Sequence, residues 1–147
     1  MPRGEFAEVC AQSIRADVLA FKEKIKDYSS PHSESVDFVV ETAQGNIRLF
    51  GYMEPLFGDE NQIIEWRFAK YKDRYRIRSW LYYLIQLATK ENALPPRIIA
   101  KDKDLTLKTI EKSTALEKLK MYVEAYLQSQ QQIQLIPTEN IAKFIEK

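Results

Sequence analysis

Two glutamates and an arginine in the stretch from Asn46 to Lys70 are the residues whose types and spacing could do chemistry. Glu54 lies near the end of one predicted strand, and Glu65 and Arg67 lie on one face of the next. Carboxylates on adjacent strands could share a hard divalent cation such as Mg²⁺. Alternatively, Glu65 and Arg67 could form a structural ion pair along their strand. The first interpretation predicts a metal-dependent enzyme, and the second predicts a non-catalytic protein.

A predicted hairpin must position these three side chains. Two sets of residues alternate with a period of two, which is typical of a strand: Ile47, Leu49 and Met53 on one face, and Arg48, Phe50, Tyr52 and Glu54 on the other. Gly58 to Asn61 is a polar turn, because glycine tolerates positive φ and Asp and Asn can bond to nearby backbone groups. A second strand is predicted from Gln62 to Phe68. We therefore expect Glu54 and Glu65 to lie on adjacent strands of a central hairpin.

The remaining elements follow from periodicity and from breaking residues. The predicted order is α-β-β-β-α-β-β-α-α, with no internal repeat, in one domain covering residues 1–147. In the first part of the chain we predict an amphipathic helix from Glu5 to about Tyr28, a strand from Val36 to Thr42 and a largely buried helix from Tyr71 to about Thr89. A break at Leu94-Pro95-Pro96 is followed by short strands at Arg97–Lys101 and Leu105–Ile110. A capping box at Thr114 to Glu117 opens a helix with an apolar stripe from Leu116 to Leu127, and a last helix follows Pro137.

Composition narrows the possible classes of protein. The 147 residues are 45% hydrophobic and 29% charged, and 22 basic against 21 acidic residues give a formal charge of +1, so no global charge points to nucleic acid or membrane. No apolar run approaches the roughly 18 residues of a membrane span, and no signal peptide is recognisable, so we expect a cytoplasmic protein. Cys10, the single cysteine, is predicted to be a small buried hydrophobe. His32, the single histidine, is predicted to lie in a surface loop.

A basic run from Arg67 to Arg78 is the second feature with functional content. Six cations stand there against one acid, Asp73, and two tyrosines are interleaved with them: Arg67, Lys70, Tyr71, Lys72, Arg74, Tyr75, Arg76 and Arg78. Cations bind phosphates, and aromatic rings can stack on unpaired bases. The run is therefore a candidate site for single-stranded DNA. The alternative is a solvated loop and first helical turn that happen to be basic.

Several short motifs in order carry a family resemblance. The start at Pro2-Arg3-Gly4, then Gly51 to Glu54, Glu65-Trp66-Arg67 and Arg78 to Tyr82 resemble the nuclease module of RecB-type helicase–nucleases. The sequence resembles more closely the C-terminal domain of RecC, the gamma subunit of exodeoxyribonuclease V, over nearly the whole chain. The resemblance implies a restriction-endonuclease-like, PD-(D/E)xK-type α/β core with a mixed central sheet flanked by helices. It also implies a piece of a much longer subunit.

The same resemblance implies that the active site has been lost. Active relatives use two acids to hold a cation that polarises phosphate and generates hydroxide. Here the matching positions depart from the family's pattern: Gln12 stands for a metal-binding histidine, Ala16 for an acid, Glu54 and Glu65 for aspartates, Arg67 for a lysine and Arg78 for a glutamine, whereas Tyr82 is retained. Arginine stays charged and cannot act as a general base. We therefore expect no catalysis, no bound metal and no cofactor in this domain.

The implied function is scaffolding in a helicase–nuclease. A domain of this kind would contact the alpha and beta subunits and guide separated DNA strands during double-strand break repair and homologous recombination. None of the four glycines precedes a Gly-Lys-Ser/Thr sequence, so no ATPase role is expected. Two alternatives stay open. One is a residual Mg²⁺-dependent exonuclease that uses Glu54 and Glu65, and the other is a pure protein-interaction module with its binding surface on the apolar helices.

Overall fold

The fold is a mixed α/β domain, and the computed structural model describes residues 4–28, 30–59 and 61–131. This part contains three helices and two small sheets. The elements in chain order are α1 (Glu5–Ile25, continued by a 3-10 turn at Lys26–Tyr28), β1 (His32–Thr42), β2 (Gly45–Leu56), β3 (Gln62–Arg67), α2 (Arg74–Thr89), β4 (Leu94–Ala100), β5 (Asp104–Thr106) and α3 (Lys112–Gln131). The predicted order is confirmed through α3. The helix predicted after Pro137 lies outside the described residues.

The first sheet is a long antiparallel hairpin of β1 and β2. Their register places Val36 opposite Gly51 and Val40 opposite Ile47. One face, which includes Val36, Val40 and Met53, is buried. The other face exposes Phe50 and Tyr52. β2 therefore forms its hairpin with β1, and the predicted hairpin of the Glu54 and Glu65 strands is wrong, because β2 and β3 do not pair along their length.

The second sheet has the strand order β3-β4-β5. β3 and β4 are parallel and are connected through α2, because parallel strands need a long crossover connection. β5 returns antiparallel to β4, and the short strand ends at Thr106 rather than at the predicted Ile110. Pro95 and Pro96 lie inside β4 rather than breaking the chain before it. Proline is compatible with extended backbone in the first residues of a strand.

The expected single central sheet is therefore two sheets in the described part of the chain. β2 has β1 as its partner, and β3 has β4. The two sheets are linked by an isolated bridge between Gly58 and Ile63. Next to it, the Ile64 amide donates to the Phe57 carbonyl at 2.8 Å. The antiparallel contact between the two chain segments is therefore confined to the polar turn, and beyond it β3 pairs with β4 instead of β2.

α2 is the most buried helix of the main core, as its apolar pattern predicted. Its residues Trp80, Tyr83, Leu84 and Leu87 are buried together with Val40, Ile98, Leu119 and Val123 from the surrounding elements. α3 begins at Lys112, so Thr114 lies within its first turn and does not cap it. Its predicted apolar stripe is only partly correct, because Leu116 and Tyr126 are exposed.

α1 ends close to the predicted residue but is only partly packed. Phe21 and Ile25 are buried against Ile64 and Ile99, whereas the N-terminal part of the same helix is exposed. Cys10 is half-buried rather than buried. Among the described residues, no helix combines the length and the apolar character needed to cross a membrane.

Candidate nucleic-acid interface

Glu65 is a buried carboxylate paired with a cation from its own strand. The residue is 8% exposed, and the Arg67 Nε donates to its Oε1 at 2.9 Å. Residues two apart on a strand point to the same face, which brings these two side chains together. The ion pair proposed from the sequence is confirmed. The buried carboxylate of Glu65 is therefore neutralised by a guanidinium of its own strand.

Glu54 lies on the other sheet and is exposed. Its main-chain carbonyl accepts a hydrogen bond from the Arg78 Nη2 at 3.0 Å, and the neighbouring Pro55 carbonyl accepts one from the same nitrogen at 2.8 Å. Arg78 thereby joins α2 to the end of β2. The strand pairing that was expected to bring Glu54 beside Glu65 is absent from the described sheets.

A small cleft beside Glu65 collects three arginines. It is lined by Glu65 and Arg67 of β3 and by Arg74, Tyr75 and Arg78 from the beginning of α2. Arg74 and Arg78 are four residues apart, so they lie on the same side of the helix. Three guanidiniums against one carboxylate leave the cleft with a formal charge of +2. Guanidinium presents a fixed fork of donors that matches phosphate oxygens.

Aromatic rings hold these arginines in place. The Arg67 and Arg74 guanidinium carbons lie 5.8 and 5.5 Å from the centroid of the Tyr75 ring, and Arg78 lies 5.2 Å from that of Tyr82. At these distances a cation is attracted to the face of the ring. Tyr75 is only 9% exposed, so it does not offer an open face for stacking on a base, contrary to the sequence interpretation. Its role in this geometry is to position cations.

The rest of the basic run divides into exposed lysines and inward-turned residues. Lys70 and Lys72 are exposed in the loop before α2. The Tyr71 amide donates to the Asp102 Oδ1 at 2.7 Å, its ring is covered by the Lys103 Nζ at 4.4 Å, and burial raises the pKa of its hydroxyl.

Arg76 differs from its neighbours in the run. Its side chain is 15% exposed, and its Nη1 lies 4.0 Å from the Asp73 Oδ1. It is not among the residues that line the cleft. The structure thus brings Arg67, Arg74 and Arg78 together and leaves Arg76 outside.

The remaining predicted positions lie elsewhere. Gln12 is exposed on α1. His32 is the first residue of β1 rather than a loop residue, and its Nε2 lies 3.7 Å from the Glu34 Oε1. The Glu34 carboxylate also accepts from the Lys90 Nζ at 2.8 Å and from the buried Gln86 amide at 3.1 Å.

This second polar cluster was missed by the sequence analysis. Glu34 occurs at the period-two positions of the apolar residues Val36 and Val40, and its inward orientation would have been visible had β1 been predicted to start earlier. Its partners, Gln86 and Lys90, come from α2 and the residue after it. No short-range pattern connects them to Glu34.

The side chains around Glu65 do not form a set of ligands that fits a magnesium ion. Mg²⁺ needs hard oxygen ligands in near-octahedral geometry, whereas a guanidinium nitrogen lies 2.9 Å from the Glu65 carboxylate. Within residues 4–28, 30–59 and 61–131, no three His, Cys, Asp or Glu side chains are grouped in a way that could hold a metal ion.

Comparison with known proteins decides the family. The sequence profile described as the RecC C-terminal domain matches residues 1–147. The chain belongs to the RecC C-terminal domain family. The resemblance of nearly the whole chain to the RecC C-terminal domain is thereby confirmed.

A curated relative of this RecC C-terminal domain is the RecBCD enzyme subunit RecC of Haemophilus influenzae. It is 54% identical over 150 residues, which cover 99% of this chain and 13% of the relative. The chain therefore spans about an eighth of the length of the curated relative that it matches.

Proposed function

We propose that this RecC C-terminal domain is a non-catalytic domain of a longer subunit in a cytoplasmic, bacterial exodeoxyribonuclease V (RecBCD). In this proposal it contacts the beta and alpha subunits, RecB and RecD, and guides separated DNA strands during double-strand break repair and homologous recombination. Family membership supports the assignment to the complex. The cationic cleft of Arg67, Arg74 and Arg78 is the observation that carries the DNA-guiding role.

The non-catalytic part of the proposal is supported by the pairing at Glu65. A nuclease of the PD-(D/E)xK type needs an ionised acid pair free to bind a cation and a group that activates water. Here the Glu65 carboxylate is occupied by Arg67, and Glu54 lies on a different sheet. We infer a diverged restriction-endonuclease-like core, because helix, three strands, helix and strand follow in the order of that fold.

The DNA-guiding part is supported by the type and the arrangement of the cations. Arg67 is half exposed and Arg74 is exposed, so their guanidinium groups are accessible to a phosphate. Tyr75 restrains both of them, which reduces the side-chain entropy lost when a phosphate binds. The cleft holds a strand in position without reading its base sequence, since phosphate contacts carry no sequence information themselves.

A metal titration tests the absence of catalysis. We expect no heat of binding when the chain is titrated calorimetrically with Mg²⁺ and then Mn²⁺, and no cleavage of linear DNA, because Arg67 already neutralises Glu65. Glu65→Ala is the matched control. Heat that disappears in this variant, together with cleavage, would instead establish the residual Mg²⁺-dependent exonuclease that uses Glu54 and Glu65.

A DNA titration tests strand guidance. We expect the chain to bind a labelled, mixed-sequence single strand at low salt. The logarithm of the association constant should fall linearly with the logarithm of the salt concentration, with a slope of about −0.7 for each phosphate contact. Three contacts at Arg67, Arg74 and Arg78 would give a slope of about −2. Binding with no salt dependence, or no binding at low salt, would contradict the proposal and favour the pure protein-interaction module.

One observation supports that second candidate. The outer face of β2 exposes Phe50 and Tyr52, which are 77% and 72% exposed, beside Arg48, which is paired with Asp37 at 2.7 Å. Tyrosine and arginine are enriched at the energetic centres of protein interfaces. An interaction module would thus use this strand face as well as the apolar helices considered from the sequence.

A further inference from the structure

The first helix carries an apolar stripe that the domain covers at one end only. Phe6, Cys10, Ile14, Val18, Phe21 and Ile25 recur at helical spacing along α1. The last two members are 6% and 8% exposed and pack against Ile64 and Ile99. Phe6, Ile14 and Val18 are 70%, 62% and 43% exposed. The stripe is therefore packed at its C-terminal end and exposed to solvent over most of the rest of its length.

The uncovered part is long. α1 has 21 residues, and the distance along its axis from Phe6 to Val18 is about 18 Å at about 1.5 Å per residue. Lys101 contacts Asp17 at 2.6 Å, near the point where packing ends. A helical segment of this length is marginal in water unless its apolar face is packed, and contiguous exposed apolar surface marks interaction sites.

We propose that the stripe Phe6–Val18 packs against an apolar surface of the rest of the longer RecC-type subunit. Most of the curated relative lies outside the matched region, which is 13% of its length. A surface in the same polypeptide has a high effective concentration and needs no second binding event. Charges of both signs flank the stripe at Glu8 and Arg15, so the selecting chemistry is apolar contact rather than charge. The proposal rests on the proposed function, because it takes the chain to work as a domain of a longer subunit.

Thiol labelling of two matched cysteines tests the docking. Ile14→Cys lies on the stripe, and Leu19→Cys lies on the other side of the helix, about 140° away at about 100° per residue. The native residues are 62% and 56% exposed. In a Cys10→Ser background we expect similar labelling rates in the 147-residue chain. In the full-length subunit carrying this domain, Ile14→Cys slows by about tenfold or more while Leu19→Cys does not.

Equal labelling of Ile14→Cys in the chain and in the full-length subunit would overturn the proposal. Labelling that is already slow in the chain and speeds up on dilution would assign the stripe to a second copy. Labelling that speeds up on removal of residues 132–147 would assign it to the chain's own end. Protection that arises only after RecB or RecD is added would assign it to another subunit. Each of these three results also overturns the proposal.

Hydrogen exchange provides a measurement that needs no substitution. Amides of residues 6–18 should exchange more slowly in the full-length subunit than in the chain, whereas amides of the α2 core should be equally protected in both. Single-strand DNA binding is measured on the same samples, so that docking of α1 and strand guidance are tested independently. DNA binding without protection of α1 overturns the docking alone, and protection of α1 without DNA binding overturns strand guidance alone.

Discussion

Replacing Arg74 and Arg78 by glutamate lowers the affinity of the chain for single-stranded DNA by about tenfold or more at low salt, because each reversal removes a phosphate contact and adds a repulsive charge. Both residues line the cleft beside Glu65. The loss of two contacts should also make the dependence of log affinity on log salt shallower by about 1.4. Fluorescence anisotropy of a labelled single strand across a salt series measures both quantities.

The control pair changes the same charge elsewhere. Lys112→Glu with Lys120→Glu alters two exposed cations of α3 that do not line the cleft. At about 0.1 M salt this pair should leave the affinity within about twofold, since exposed charges beyond a Debye length of about 10 Å are largely screened. Equal losses from the two pairs would show that net charge, rather than the cleft, determines binding. Arg74→Lys with Arg78→Lys keeps the charge but removes the planar fork, so an intermediate affinity is expected.

The two positions differ in what else they do. Arg78 donates to the Glu54 and Pro55 carbonyls, so its replacement also loosens the contact between α2 and the end of β2. Arg74 is exposed and contacts the Tyr75 ring. Arg74→Glu by itself is therefore the cleaner electrostatic test. Its affinity should fall while the free energy of unfolding, measured in urea, changes by less than about 0.5 kcal/mol.

Local features of the fold could be predicted because they depend on nearby residues. The period of two from Gln62 to Arg67 placed Glu65 and Arg67 on one face, and the structure forms their ion pair. The apolar pattern of α2 predicted a helix buried on several sides, and Tyr83 and Leu84 are fully buried. These outcomes follow from backbone periodicity, which acts over one or two turns.

Strand pairing could not be predicted in the same way. The turn after Gly58 resembled a hairpin turn, but β3 pairs with β4 across the whole of α2. A short polar turn is compatible with a hairpin and with a change of sheet, and the decision depends on residues about 30 positions later in the chain. The same limit applies to Tyr75, which is buried in the main core with residues of other elements such as Ile98 of β4 and Leu119 of α3.

The Glu34 cluster shows this limit most clearly. Its partner Lys90 is 56 residues away in the sequence, and Gln86 is 52 residues away. Nothing in the composition of either segment indicates the other. Buried polar groups find partners wherever the packed elements bring them, so such a cluster becomes visible only after the sheet and α2 have been assembled.

Gly58→Ala should be among the most destabilising single substitutions in this chain. Gly58 has φ +104°, and an added Cβ would meet the Gln62 carbonyl oxygen and lie 2.8 Å from the Ile64 Cγ1. The positive φ costs about 1–2 kcal/mol for a residue with a Cβ, and overpacking against backbone adds about 1–3 kcal/mol. We expect the free energy of unfolding in urea to fall by about 2–5 kcal/mol in total.

Gly45→Ala isolates the steric part of this loss. Gly45 also has a positive φ, +116°, but an added Cβ there would have no neighbour within 4 Å. It should therefore lose only the conformational part, about 1–2 kcal/mol. Because Gly58 bridges to Ile63 and determines where β3 begins, its replacement should also displace Glu65 and Arg67 and weaken DNA binding, whereas Gly45→Ala should leave binding unchanged. Equal stability losses at the two glycines would mean that the close approach of Gly58 to Gln62 does not constrain the link between the two sheets.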